Sequence, residues 1–227
     1  MSEPFARLQK ELIGCRRCER LVAWREQVGR EKKAAWRDQT YWARPVPSFG
    51  DPAARLLVLG LAPAAHGGNR TGRVFTGDGD PQWLFRALHK AGFASQPFSR
   101  DPTDALRLTD CVVTNAVRCV PPGNRPDREE FVACGEAFLD RELRTLGRLQ
   151  VVVAMGKLAF DAYLAAAARL GHPRRPRPKF GHLAIVDDGL PHTLIGTYHP
   201  SRQNTNTGVL TEPMFGAVFD EARRRLR

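Results

Sequence analysis

The sequence predicts an α/β fold: a three-layer α/β/α sandwich around a central, four-stranded, mostly parallel sheet. Two observations carry this. Four short apolar runs, residues 55–61, 111–114, 149–155 and 193–198, are continuous rather than alternating, as strands buried on both faces are. Helical repeats lie between them, and strand–helix alternation is the pattern of a parallel sheet covered by helices.

The first run, Leu56-Leu57-Val58-Leu59, is followed by a helix that Asp80 caps and Pro81 opens, the residue types suited to those two positions. Trp83, Leu84, Leu88 and Ala91 share its face and Gly92 ends it. After the β-branched second run, residues 126–146 repeat Phe131, Cys134, Phe138 and Leu139 at three-to-four spacing. Residues 158–170 form a third helix closed by Gly171. Thr211-Glu212-Pro213 starts the last, whose buried stripe is Met214, Phe215, Val218, Phe219 and Ala222. The Pro- and Arg-rich residues 174–179 read as an exposed loop, because proline stops a helix and nothing there is apolar enough to bury.

The 227 residues fit one domain, 1–227, with a core large enough to need no disulfides. At 42% apolar and 26% charged, the chain is neither a disordered tail nor a collagen-like fibre. No apolar run reaches the ~20 residues of a membrane helix, since residues 151–168 contain Lys157 and Asp161. Met1-Ser2-Glu3-Pro4 is not a basic segment leading into an apolar one. The expectation is a soluble, cytoplasmic monomer with no membrane partner. The net charge of +11 calls for a polyanionic partner. Its basic groups (Arg16-Arg17, Arg20, Lys32-Lys33, residues 174–179, Arg202, residues 223–225) flank glycine-rich loops, which points to nucleic acid.

Ligands of open α/β sheets bind beyond the carboxyl ends of the strands. Three polar, glycine-rich segments stand there: residues 62–78, 115–124 and 199–208. Of the five cysteines, Cys15 and Cys18 form C-x2-C, while Cys119 and Cys134 lie 14 residues apart. An odd count argues against a disulfide framework. Cys15-Arg16-Arg17-Cys18 is too polar for core, and the spacing suits zinc or an iron–sulfur cluster alike. Cys111, within an apolar run, reads as a small buried hydrophobe.

Four features together resemble the uracil-DNA glycosylase superfamily, most closely its type-5 branch. They are the loop from Gly60-Leu61-Ala62-Pro63 to Phe75-Thr76-Gly77-Asp78, the four spaced cysteines, Arg118-Cys119-Val120-Pro121-Pro122, and His199-Pro200-Ser201. The resemblance runs from about Cys15 to the last helix. It implies a [4Fe–4S] cluster on Cys15, Cys18, Cys119 and Cys134. It also implies base excision repair: uracil, and in some members hypoxanthine and xanthine, is hydrolysed from double- or single-stranded DNA at the nucleoid.

The resemblance assigns roles residue by residue. Phe75 stacks on the flipped base and His199 hydrogen-bonds uracil O2. Asn115 holds the position at which the type-4 branch reads the uracil edge, and a carboxamide can serve both O4 and N3–H. Asp78 and Asn124 match catalytic positions. Ala62 and the small residues after it allow close approach by backbone N–H donors, where other branches carry an acidic or amide side chain. Arg202, Gln203 and Asn204 enter the minor groove, and Arg16, Arg17 and Arg20 neutralise phosphates. Each residue has a plainer reading: a core phenylalanine, a structural histidine, a helix N-terminal carboxylate at Asp78, a turn asparagine at Asn124. His66 and Asn69 have no assigned role. A non-catalytic, cluster-bearing DNA-binding module stays open as the alternative. A metal-dependent nuclease ranks last, because no clear acidic cluster stands near the strand ends and Asp187-Asp188 falls in a late turn.

Overall fold

In the computed structural model, which describes residues 3–77 and 82–226, each apolar run becomes a strand of one sheet. The strands are β1 (Phe49–Gly50), β2 (Leu56–Gly60), β3 (Cys111–Asn115), β4 (Val151–Met155), β5 (Ala184–Val186) and β6 (Thr193–Thr197). They lie in the order β1-β3-β2-β4-β6-β5. The central four are mutually parallel, and β1 and β5 add antiparallel edges. The sheet thus has six strands rather than four. The two edge strands are two and three residues long, too short to show a hydrophobic period.

Helices α1 (Glu3–Ile13), α2 (Glu19–Glu31), α3 (Gly68–Thr71), α4 (Trp83–Lys90), α5 (Arg128–Cys134), α6 (Asp140–Thr145), α7 (Lys157–Arg169), α8 (Arg202–Asn206) and α9 (Glu212–Arg225) complete the chain. Successive strand residues point to opposite faces, and each face meets helices. Leu56, Val58, Val113, Val153 and Ile195 pack with α4 and α9. Leu57, Leu59, Val112, Val152 and Leu194 pack with α6 and α7. Two apolar faces explain why the strands read as unbroken apolar runs, and each fully buried Leu, Val or Phe contributes about 1.5–3 kcal/mol. A third core, with Leu8, Leu12, Leu21, Val117 and Phe138, seats α1 and α2 against the segment after β3.

Helix α4 begins at Trp83, with Gln82 in a non-helical conformation; Asp80 and Pro81, expected to cap and open it, lie outside the described residues. The long helix expected over 126–146 is α5, a π-helical turn at Gly135–Leu139, and α6. A π-turn is a local widening that often marks functional positions, and this one starts directly after Cys134. Among the described residues no helix is long and apolar enough to cross a membrane. The register sets Gly60 beside Asn115 and Met155 beside Thr197, so all four parallel strands end along one rim.

Candidate functional site

Along that rim opens a cleft of about 580 Å³, within the usual range for a ligand site. Ala62, Phe75, Asn115, Asn124, His199 and Arg202, all marked out in the sequence, line it together. Asn115 ends β3 and is 1% exposed, yet among the described residues neither its Oδ1 nor its Nδ2 has a partner. An unmet buried polar group costs about 1–3 kcal/mol, so a native carboxamide left this way is placed for something that arrives. Phe75, half-buried, stands beside it at φ 54°. A Cβ placed on Gly60 would lie 2.6 Å from Asn115 Oδ1 and 2.6 Å from the Phe75 Cζ. Only glycine lets the ring and the carboxamide close over the strand end.

His199 follows β6. His199 is exposed to solvent on the cleft side, with protein atoms crowding the rest of its ring, and among the described residues no protein group bonds the imidazole. Burial lowers its pKa from the usual 6.5, which leaves a neutral ring able to donate one N–H. Its carbonyl accepts from Ser201 N at 2.8 Å and Asn204 Nδ2 at 2.8 Å, and the Ser201 hydroxyl caps α8. Asn204 is therefore a brace for the histidine turn rather than a groove-filling residue. Arg202 and Gln203 are exposed on α8, with Gln203 outside the cleft lining. Asn124 is exposed at φ 56° on a 3-10 turn, Pro122–Asn124. Asp78 lies outside the described residues.

Two further expectations change. Arg16 and Arg20 do not stand free for phosphates: Arg16 pairs with Glu26 at 2.5 Å, and Arg20 with Glu130 at 2.6 Å and Asp127 at 2.8 Å. Arg17 lies with its guanidinium 5.9 Å from the centre of the Phe138 ring. His66 is not among the cleft-lining residues and shares a hydrogen bond with Tyr41 Oη at 3.1 Å. Asn69, fully buried, donates to the Arg25 carbonyl at 3.2 Å.

Cys15, Cys18, Cys119 and Cys134 border one small cavity, together with Arg25 and Arg118. Arg25 is 2% exposed, and its Nη1 donates to Cys119 Sγ at 2.9 Å. The Arg118 backbone N–H donates to Cys134 Sγ at 3.4 Å. Burial pushes the Cys119 thiol up to about 11 and that of Cys134 up to about 12, so stable thiolates there call for a bound positive centre. Among the described residues no three Cys, His, Asp or Glu side chains are placed to share one metal ion. Cys111 is buried in β3, as expected.

Residues 47–223 match the model of the uracil DNA glycosylase superfamily. The chain belongs to that superfamily. It is similar to the type-5 uracil-DNA glycosylase of Thermus thermophilus, 49% identical over 215 residues, 94% of each chain. The type-5 uracil-DNA glycosylase of Mycobacterium tuberculosis is 46% identical over 92% of this chain and 77% of its own length. That of Pyrobaculum aerophilum is 41% identical over 93% and 88%.

In this member of the glycosylase superfamily, several cleft residues carried no sequence signal of their own. Trp83 and Leu84 read as a helix's core face, yet together with the unmarked Phe85 they also line the cleft. Met155 was accessible to the strand-end rule, because it closes β4 on the same rim. Arg25 resembled a surface charge; its place seven residues, or two helical turns, after Cys18 was the available hint.

Proposed function

We propose that the chain is a monofunctional DNA glycosylase that hydrolyses uracil from DNA. The observation that carries the reading is Asn115: a buried carboxamide with both polar atoms unpaired among the described residues, set beside Phe75 in a chain of this superfamily. A carboxamide offers one acceptor and two donors, which match uracil N3–H and O4. Hypoxanthine presents the same adjacent pair, N1–H and O6, and is the next substrate to test, with xanthine after it.

The base must leave the duplex to reach this cleft, at a cost of a few kcal/mol of stacking and pairing. Phe75 supplies a stacking face. As the glycosidic bond breaks, negative charge grows on the base and positive charge on the sugar. The neutral His199 N–H donates to uracil O2, a donor aimed where charge develops. Asn124 holds the water that attacks C1′, with Asp78 as its partner in that role. The base departs as the anion and an abasic site remains. None of the described cleft residues is a lysine, the residue type a Schiff-base lyase would use. Arg202, lining the cleft, and Gln203, exposed beside it, enter the minor groove. The reading implies a monomer acting at the nucleoid of the cytoplasm, on duplex and single-stranded DNA.

Cys15, Cys18, Cys119 and Cys134 are the proposed ligands of a [4Fe–4S] cluster. The donor set fits: four thiols from three segments ring one cavity, whereas one zinc would draw all four sulfurs to about 2.3 Å from a single point. Arg25 supplies the kind of hydrogen bond to sulfur that tunes such clusters. The cluster ties α1 and α2 to the segment after β3, and hydrolysis asks no electron of it. Brown protein with broad visible absorbance is expected; stoichiometric zinc without iron in anaerobically prepared protein overturns the assignment.

One assay tests the activity. The protein is incubated with a uracil-containing duplex in chelator, and the DNA is then treated with alkali. Strand breaks only after alkali support the glycosylase. Breaks before alkali mean a lyase or nuclease. Binding without breaks on any deaminated base means the cluster-bearing binding module.

A further inference from the structure

Phe75 carries a bulky side chain on left-handed backbone, φ 54°. A non-glycine residue stays there only where its surroundings over-determine it. The residues on either side provide that. Arg73 is 6% exposed. Its Nε donates to Thr76 Oγ1 at 3.0 Å. Its Nη2 donates to Ser99 Oγ at 2.7 Å, the Asp101 carbonyl at 2.5 Å and Asp104 Oδ1 at 2.7 Å. The guanidinium also lies 4.9 Å from the centre of the Phe49 ring. Thr76, fully buried, shares a hydrogen bond with Ser99 Oγ at 2.6 Å, and Gly77 N–H donates to the Ser99 carbonyl at 3.2 Å.

The segment carrying Phe75 is thus clasped on both sides to residues 99–104, none of which lines the cleft. Asp104 is itself fixed, accepting from the amides of Arg100 at 2.6 Å and Leu106 at 3.2 Å. Burial opposes its ionisation, but Arg73 and those amides more than offset it and hold the carboxyl below the usual range.

We propose that Asp104 and Ser99 are positioning residues which, through Arg73 and Thr76, hold Phe75 in the left-handed conformation that presents its ring to the base. The clasp stands on geometry alone; what the ring meets rests on the glycosylase reading.

The test uses Asp104→Asn and Ser99→Ala in the full chain with two readouts. Hydrogen exchange is expected to quicken at the amides of residues 73–77 in both variants while the parallel strands stay protected. Single-turnover uracil excision is expected to fall, by up to about 10²-fold, as when a reacting group is misplaced by about 1 Å. In a Phe75→Ala background the same substitutions should alter the rate by less than about two-fold, because the clasp then has nothing left to position. Unchanged exchange at 73–77 overturns the proposal, and so do rate losses that simply add to that of Phe75→Ala. Where Asp104→Asn fails to fold, Ser99→Ala, which disturbs no ion pair, decides. If the unaltered protein excises nothing, the glycosylase reading fails and the exchange result alone judges the clasp.

Discussion

Arg118 and Glu142 form an ion pair that water scarcely reaches, their side chains 1% and 0% exposed. The pair links the two halves of the site. Arg118 also donates its backbone N–H to Cys134 Sγ, and Glu142 accepts from Thr114 Oγ1 at 3.3 Å, one residue before Asn115. Gln9 of α1 joins the same carboxylate at 3.3 Å. Removing one partner of such a pair strands a buried charge, which costs about 3–5 kcal/mol. Glu142→Leu should lower urea-unfolding stability by that amount, and adding Arg118→Met should restore much of it. A loss below about 1 kcal/mol would show that the pair is better solvated than its geometry states.

Gly60→Ala should separate stability from activity. The new Cβ would sit 2.6 Å from both Asn115 Oδ1 and the Phe75 ring, so the ring must swing toward the cleft. The backbone at residue 60 needs no left-handed conformation, and α/β packing elsewhere is untouched. Thermal unfolding should barely move while excision falls by about 10²-fold. Activity within two-fold of the unaltered protein would mean that the base does not enter between these side chains.

The parallel core was legible because its signal is local: four runs with both faces apolar could hardly be anything but central strands. The strand-end rule then located the segments 62–78, 115–124 and 199–208, and the resemblance to the superfamily picked out Ala62, Phe75, Asn115, Asn124 and His199 within them. What escaped depended on partners far along the chain. Arg16 and Arg20 read as free cations until Glu26, Asp127 and Glu130 came beside them. Asn204 read as a groove residue until its side chain turned back to the His199 carbonyl. Trp83 escaped because an apolar residue at a cleft wall has the same sequence signature as one in the core, whereas Met155, closing β4 on the rim, was open to the strand-end rule. The edge strands β1 and β5 are too short to have a period.

Asn115→Ala should cost no stability and should abolish efficient excision. Among the described residues the carboxamide has no protein partner to lose, and deleting unmet buried polar atoms relieves about 1 kcal/mol or more, set against the small cavity left behind. Losing two hydrogen bonds to the base edge should slow single-turnover excision by about 10²-fold or more. A variant that unfolds several degrees earlier would show that Asn115 is structural and would remove the main support for base recognition at this position.

His199 sets the pH dependence. Burial lowers its pKa from the usual 6.5, so at pH 6.5, where a free imidazole is half protonated, the neutral ring is favoured. A neutral N–H donor needs no proton from solvent. Single-turnover excision should therefore run level from pH 8 through 6.5, with no inflection at the ordinary histidine value. The linkage has the matching sign: with the folded pKa below the unfolded one, His199 contributes its full stability above pH 6.5 and loses it as pH falls toward the folded pKa. His199→Gln, which keeps an N–H donor, should retain more activity than His199→Ala and should leave the profile equally level. A rate that climbs as pH drops through 6.5, and that loses this climb in His199→Gln, would identify the imidazolium rather than the neutral ring as the group facing uracil O2.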